Sequence, residues 1–212
     1  FIMNRLLLIQ AFFKPSILPS HDFQSLIDYF LPDMDIGETR IPFRVVATDL
    51  ITGKKIVFSE GPLRKAVLAS CSVPGAVEPV RYGDWLLADG GITSLVPARA
   101  ARDAGADVVI AVMVDRELET NVSIETAKDV VFRAGEITAG ALETSELVGA
   151  DVVVRPKVGN LHWMDFTRAT DLVKAGEDAA RESMKKIKDS LPFSLRVMRF
   201  VRQLFKNNNK GV

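Results

Sequence analysis

Residues 97–114 read PARAARDAGADVVIAVMV and contain the pattern that decides the fold. Pro97 opens a predicted helix that Gly105 closes. Residues 107–114 then form a continuous apolar run, which is typical of a strand buried on both faces. The pentapeptide GADVV recurs at 149–153, again between a predicted helix and a predicted strand. Two copies of this helix-to-strand transition favour an α/β fold.

The rest of the chain continues the alternation of helix and strand. Further strands are predicted from short runs rich in apolar or β-branched residues, at 43–49, 55–58, 85–88 and 151–155. Further helices are predicted from apolar residues at helical spacing, from Ser20 to Pro32, over 62–70, from a Ser123 cap to Gly149, and from Thr170 to Ser190. Because strands that alternate with helices pair in parallel, we expect a largely parallel central sheet with helices on both faces.

Composition limits the class of protein. The 212 residues are enough for one domain, predicted over 1–190, with a basic tail at 191–212. Lys plus Arg and Asp plus Glu both number 27, so no overall charge points to nucleic acid. The single Cys suits a reducing compartment such as the cytoplasm. His, Cys and carboxylate residues nowhere have metal-ligand spacing, so no metal is expected.

The candidate functional residue is Asp89, in the stretch LLADGGI at 86–92. Asp-Gly is a common turn dipeptide, and a plain turn is one interpretation. The carboxylate also ends an apolar strand, where open α/β sheets bind their ligands. Gly90 and Gly91 leave room beside it, and a partly desolvated carboxylate there could act as a general base.

A base of this kind needs a hydroxyl to act on. A nucleophile elbow has the form G-x-S-x-G, and none of the twelve serines fits it. Ser59 precedes Gly61 but follows Val57, for example. His21 and His162 are the only histidines, and we expect surface or packing roles for both.

Taken together, the motifs around Asp89 resemble the patatin-like phospholipases, especially the bacterial members. The match covers roughly 20–190, and its text is densest over 45–112. In family order it contains a strand ending in ATDL, a TG turn, the A-S-x-S-x-P segment, D-G-G and the helix before GADVV. The A-S-x-S-x-P segment is Ala69, Ser70, Ser72 and Pro74. This combination is far more specific than any of its parts.

The resemblance implies a Ser–Asp dyad that cleaves phospholipid or other acyl esters without a cofactor. Asp89 matches the aspartate of D-G-G, which serves as base to an elbow serine in this family. The elbow serine and the Gly-rich oxyanion loop lie N-terminal to the region seen here, so the resemblance implies an N-terminally truncated domain. The nucleophile is therefore not in this chain. Truncation would also leave a raw sheet edge, which predicts poor folding or a homo-oligomer.

Three features near the proposed base have simple interpretations. The segment SCSVPG at 70–75 either lines the acyl cleft beside Asp89 or is only a helix end broken by Pro74. Cys71 has no cationic neighbour in sequence and is predicted to be an inert, buried thiol. Asp49 is predicted to belong to the mouth of a hairpin and not to the chemistry.

The tail 194–206, SLRVMRFVRQLFK, has basic and apolar residues on opposite faces of a predicted helix. Such a helix can lie in a membrane interface, which would suit a lipid substrate and a peripheral location. The alternative is that it packs on its own domain or on a partner chain.

Two other functions are alternatives to the acyl hydrolase. A non-catalytic lipid-surface or protein-binding module would keep the scaffold without the nucleophile. A dinucleotide-binding domain is disfavoured because no strand is followed by G-x-G-x-x-G, and Asp89 precedes its glycines.

Overall fold

The structure is a computed structural model that describes residues 20–114, 122–159 and 167–192. The chain divides into two compact units, Phe1–Leu95 with Thr138–Glu143, and Val96–Ile137 with Thr144–Val212. Each unit has its own sheet, and both sheets are accompanied by helices. The mixed α/β class predicted from the sequence is therefore confirmed.

The first unit contains a four-stranded sheet in the order β2-β1-β4-β3. Its strands are β1 Val45–Asp49, β2 Lys55–Phe58, β3 Val80–Tyr82 and β4 Trp85–Asp89. Two α-helices, α1 Ser20–Phe30 and α2 Leu63–Ser70, and two 3-10 helices, Ile36–Glu38 and Gly90–Ile92, complete the described part of this unit.

All pairings in this larger sheet are antiparallel, which differs from the expected largely parallel arrangement. For the β1–β2 and β3–β4 pairings, the physical reason is the length of the connections. Residues 50–54 join β1 to β2, and residues 83–84 join β3 to β4. Links this short can only form hairpins, since a parallel crossover needs a dozen or more residues.

The core of the first unit lies between α2 and the two central strands. Ala66 and Ala69 of α2 pack with Ala47 of β1 and Leu87 of β4, and these four residues are almost completely buried. The rings of Phe58 and Tyr82, on the two edge strands, lie 5.2 Å apart between centroids. Since these strands are not neighbours in the sheet, the sheet curls strongly.

The second unit contains the parallel pairing that the sequence predicts. Strands β5 Ile110–Val112 and β6 Val152–Val154 pair in parallel, with Ile110 opposite Val152. The helices of this unit are α3 Ala98–Asp103, α4 Ala127–Leu147, of which Thr138–Glu143 groups with the first unit, and α5 Ala169–Ser190. Val152 and Val154 pack with Ala179 of α5 in a small core.

Strand β5 corrects the prediction that its apolar run is buried on both faces. Ala111 and Met113 are buried against Val96, but Ile110 is 44% exposed and Val112 57% exposed. The alternation arises because neighbouring side chains of a strand point to opposite faces. Only one of those faces packs on the core of the unit.

The start of α4 corrects a second prediction, because its cap is Thr126 and not Ser123. The backbone N–H of Asp129 donates to the Thr126 hydroxyl oxygen, and the N–H of Thr126 donates to the Asp129 carboxylate. This reciprocal capping box satisfies two helix N-terminal donors. The Ser123 hydroxyl instead donates to Glu125.

The two GADVV copies use their glycines differently. Gly105 follows α3 with φ +93°, a left-handed conformation in which glycine is favoured. Gly149 has no positive φ, but an added Cβ would lie 2.9 Å from the backbone nitrogen of Arg99. The first glycine is required by its backbone conformation, and the second by a close approach to α3.

Arg102 ties the two copies together. Its guanidinium donates to the carbonyl oxygens of Ala106 and Asp107, both at 2.9 Å, and to the carboxylate of Asp151. The same carboxylate accepts the Val109 N–H at 2.7 Å. The Val109 N–H and then the Arg102 guanidinium hold the pKa of Asp151 below its usual value. This ion pair and its hydrogen bonds therefore hold together the segments that lead into β5 and β6.

No helix in the described part of the chain is both long and apolar enough to cross a bilayer.

Candidate functional site

Asp89 is the last residue of β4 and lies beside Ala47 of β1 in the antiparallel register. Its backbone N–H donates to the carbonyl oxygen of Ser72 at 3.0 Å. The residue is therefore positioned both by the neighbouring strand and by the segment that follows α2.

The carboxylate of Asp89 is half-buried and asymmetrically bonded. One oxygen, Oδ1, accepts the N–H of Gly91 at 2.7 Å. The other oxygen accepts no hydrogen bond from the described part of the chain. Burial raises the pKa of Asp89, and the Gly91 N–H offsets part of this effect. A carboxylate with a raised pKa and one available oxygen is well suited to take a proton.

Glycine is favoured at the two positions after Asp89 for different structural reasons. A Cβ at Gly90 would lie only 2.3 Å from the carbonyl oxygen of Val46, so this position must be glycine for the turn to pack on β1. A Cβ at Gly91 would lie 3.0 Å from Oδ1 of Asp89 and would crowd the carboxylate. The prediction that the glycines leave room beside Asp89 therefore applies most directly to Gly91.

The turn is held against β1 by a contact that the sequence analysis missed. The hydroxyl oxygens of Thr48 and Thr93 are 2.9 Å apart, and Thr48 is almost completely buried. No spacing rule connects two threonines that are 45 positions apart, so only the register of β1 with β4 reveals this pair.

The A-S-x-S-x-P segment is a helix end that also contacts Asp89. It is a helix end, because Ser70 is the last residue of α2 and Pro74 lies exposed beyond it. It also contacts the site, because Ser72 supplies the carbonyl that holds Asp89. Ser72 is fully buried, and its hydroxyl donates to the Leu68 carbonyl oxygen at 2.8 Å. A role in lining an acyl cleft stays a prediction.

Cys71 lies close enough to Asp89 for the two groups to interact electrostatically. Burial raises the pKa of the Cys71 thiol, and the charge of Asp89 raises it further. The thiol is half-buried and is kept in its protonated, less reactive form. The sequence alone could not show this proximity, since 18 positions separate the two residues.

This proximity predicts that Asp89→Asn will speed the alkylation of Cys71 by roughly two- to fivefold near pH 8. Removing the negative charge lowers the thiol pKa and increases the thiolate fraction. Cys71 is the chain's single cysteine, so iodoacetamide uptake reports on it alone. The control is Asp84→Asn, which removes an exposed carboxylate from the β3–β4 turn. Equal rates in the two variants would contradict the proximity of Cys71 and Asp89.

Asp49 is a structural carboxylate, as its predicted place in a hairpin implies. It is 1% exposed, and its oxygens accept the Thr52 hydroxyl at 2.6 Å and the N–H groups of Ile51 and Leu86. The Thr52 hydroxyl is the main cause that lowers the pKa of Asp49. The pKa values of Asp49 and Asp89, on adjacent strands, are thus shifted in opposite directions, which favours Asp89 over Asp49 as a proton acceptor.

Several predicted features cannot be placed in this site. His162 and the tail 194–206 lie outside the described residues, and for His21 the structure gives only its place in α1. Among residues 20–114, 122–159 and 167–192, no group of three His, Cys, Asp or Glu side chains could hold a metal ion.

Comparison with known proteins shows what this region is similar to. Residues 3–102 match the family model described as patatin-like phospholipase. An uncharacterized NTE family protein of Mycobacterium tuberculosis is 39% identical over 97 residues, which cover 42% of this chain and 27% of that protein. A second uncharacterized NTE family protein of that organism is 26% identical over 167 residues, covering 68% of this chain and 29% of that protein.

A mammalian relative shows the same likeness. Patatin-like phospholipase domain-containing protein 7 of Rattus norvegicus is 33% identical over 110 residues, which cover 51% of this chain and 8% of that protein. The resemblance predicted from the D-G-G and A-S-x-S-x-P motifs is therefore confirmed. The chain spans less than a third of the length of each of these three relatives.

Proposed function

Because residues 3–102 match the family model of the patatin-like phospholipases, we propose that this chain is part of a serine acyl hydrolase with Asp89 as its general base. The observation that carries the proposal is the state of the Asp89 carboxylate. It ends a central strand, is half-buried with a raised pKa, and has one oxygen without a hydrogen bond from the described residues.

In the proposed reaction, a serine hydroxyl attacks the carbonyl carbon of an acyl ester while its proton passes to Asp89. Backbone N–H groups stabilise the resulting oxyanion. The tetrahedral intermediate then collapses, the bond to the leaving alcohol breaks, and that alcohol takes the proton from Asp89. A water molecule deprotonated by the same carboxylate then attacks the acyl-enzyme. The bond to the serine oxygen breaks, that oxygen takes the proton back from Asp89, and the free acid is released.

The nucleophile of the proposed dyad comes from a segment outside these 212 residues. Within them no serine has the G-x-S-x-G setting. Ser72, the serine whose carbonyl accepts the Asp89 N–H, is fully buried, and its hydroxyl donates a hydrogen bond to the Leu68 carbonyl oxygen. The relatives are more than three times the length that the alignment covers, which leaves ample chain for an elbow and an oxyanion loop.

The proposed substrates are phospholipids or other acyl esters, in line with the family description. We also propose a cytoplasmic protein that contacts membranes peripherally and forms homo-oligomers, and the basic amphipathic tail at 194–206 is one candidate for the membrane contact. In the domain organisation proposed here, this tail follows a single patatin-like domain that ends near residue 190.

A fluorophosphonate probe tests the proposal, because it reacts covalently with activated serines. We expect the 212-residue chain to stay unlabelled. The protein expressed from the genomic reading frame that contains it should be labelled and should hydrolyse p-nitrophenyl esters. Labelling of the 212-residue chain itself would place the nucleophile among its own serines and overturn this assignment.

The same experiment separates the hydrolase from a non-catalytic module. If the protein from the genomic reading frame is neither labelled nor active on any acyl ester, the scaffold serves as a lipid-surface or protein-binding module. That outcome would leave the geometry of Asp89 unchanged but would remove its role as a base.

A further inference from the structure

An exposed loop with a distinctive composition precedes β1. Residues 40–44 read Arg-Ile-Pro-Phe-Arg, and all five are exposed. The Ile41 side chain is 80% exposed and Phe43 is 42% exposed. We propose that this segment, called the RIPFR loop below, binds the surface of an anionic phospholipid bilayer.

The loop is held in place at both ends, although its side chains face solvent. On one side, the Thr39 hydroxyl oxygen lies 2.7 Å from the carbonyl oxygen of Ile36 and 2.9 Å from that of Ile41, so its single hydrogen is shared between them, and Ile36 is buried in the core. On the other side, the loop continues directly into the buried start of β1 at Val45. Pro42 also restricts Ile41 to an extended backbone. A preorganised loop of this kind loses little conformational entropy on binding.

The chemistry of the loop matches an anionic lipid surface. Transfer of isoleucine and phenylalanine side chains from water to the acyl boundary of a bilayer is favourable, and arginine binds lipid phosphates. Within the described part of the chain, neither Arg40 nor Arg44 forms an ion pair. The Arg44 guanidinium donates to the adjacent Phe43 carbonyl, which leaves its other N–H groups for a phosphate. Two cations and two apolar side chains therefore face outward from five consecutive residues.

The register of the sheet places the loop near the candidate base. Ala47 of β1 lies opposite Asp89, and Val45 is two residues closer to the loop. Two residues along a strand correspond to about 7 Å. The RIPFR loop therefore extends from the end of the sheet at which Asp89 lies. Bilayer binding does not depend on the proposed reaction. Its consequence, that binding brings lipid to Asp89, rests on that reaction.

A second exposed apolar and basic segment provides a matched comparison. The β1–β2 turn exposes Leu50 and Ile51, at 45% and 62%, with Lys54 close by. It lies at the other end of β1, away from Asp89. Since single exposed apolar residues are common on protein surfaces, exposure alone does not identify a binding surface. Both segments must therefore be tested in the same assay.

The test is flotation of the 212-residue chain with phosphatidylcholine vesicles and with vesicles in which one lipid in three is phosphatidylserine. We expect binding to the anionic vesicles only. The double variant Ile41→Ser with Phe43→Ser should weaken binding by roughly tenfold or more, through lost apolar burial. Arg40→Gln with Arg44→Gln should weaken it by roughly 10- to 30-fold at low salt. The control Leu50→Ser with Ile51→Ser should bind like the wild type.

Each outcome decides the proposal. Binding that is unaffected in both RIPFR variants would overturn it and would point to another surface, such as the tail at 194–206. Loss of binding in the Leu50 and Ile51 control alone would assign the membrane contact to the β1–β2 turn and overturn the proposal as well. The arginine variant keeps both apolar side chains, so it remains informative if the serine variant proves unstable. Because the assay needs no catalysis, its result is independent of whether Asp89 acts as a base.

Discussion

In the protein expressed from the full reading frame, Asp89→Asn is expected to lower the rate of acyl-ester hydrolysis by about 100- to 10,000-fold. Asparagine has the same shape as aspartate and can still accept the Gly91 N–H, but it cannot take a proton from a hydroxyl. The loss should appear in kcat, because the proton transfer occurs during bond formation. Undiminished turnover would remove Asp89 from the mechanism.

The pH dependence of the same reaction gives an independent check. Only the ionised carboxylate can accept a proton, and burial raises the pKa of Asp89 above the ordinary value of 3.8. Activity should therefore fall as the pH is lowered through this raised pKa, at a higher pH than an ordinary aspartate would require. The residual activity of Asp89→Asn should lack this acidic limb.

Two controls separate lost chemistry from lost folding. Asp84→Asn removes an exposed carboxylate from the β3–β4 turn and should leave kcat unchanged. Asp89→Asn itself should not lower Tm at pH 7, since burial penalises the charged form of Asp89 in the folded state. A raised folded-state pKa means that the stability contribution of Asp89 is lost as pH rises, so the variant gains stability above that pKa. A large drop in Tm would mean that Asp89 also stabilises the fold.

Gly90→Ala is expected to destabilise the protein by roughly 3 kcal/mol, near the upper end of the usual cost of overpacking. The new Cβ would lie 2.3 Å from the Val46 carbonyl oxygen and 2.9 Å from its carbon. These are backbone atoms of a central strand, so they cannot rotate away as the end of a side chain could. The turn would have to move off β1, and the contact between Thr48 and Thr93 would move with it.

The matched control for this substitution is Gly176→Ala in α5, where an added Cβ meets nothing within 4 Å. That substitution should stabilise its helix by about 0.5–1 kcal/mol, because alanine has a higher helix propensity than glycine. Urea denaturation measures both changes. A Gly90→Ala variant whose stability is close to that of the wild type would show that the D-G-G turn is not packed on β1 as described.

The sequence predicted local structure well wherever one short segment determines it. Strand β2 was predicted with its observed bounds, 55–58, because apolar and β-branched residues end sharply at a Thr-Gly turn and at Ser59. The N-terminus of α4 was misplaced because Ser123 looked like a cap. Thr126 and Asp129 form the stronger reciprocal pair, and the T-x-x-D spacing was available to show it.

Long-range relations were less accessible. The direction of pairing in the larger sheet depends on which strands meet, and the alternation of helices and strands alone suggested the wrong direction for β1 and β4. For the site, D-G-G predicts Asp89 as the base. The sequence could not show that the Ser72 carbonyl accepts the backbone N–H of Asp89, or that the charge of Asp89 raises the pKa of the Cys71 thiol. Those contacts join segments that only the tertiary fold brings together.

Substitution with D-alanine or L-alanine would distinguish the two glycines of the repeated pentapeptide. Gly105 has φ +93°, a region that D-amino acids adopt readily. A D-alanine introduced there by chemical ligation would stiffen the unfolded chain without opposing the native backbone. At Gly149 the obstacle is the crowded backbone of Arg99, so an L-alanine there has no such advantage. The same five-residue sequence thus requires glycine for its backbone conformation at position 105 and for its small volume at position 149.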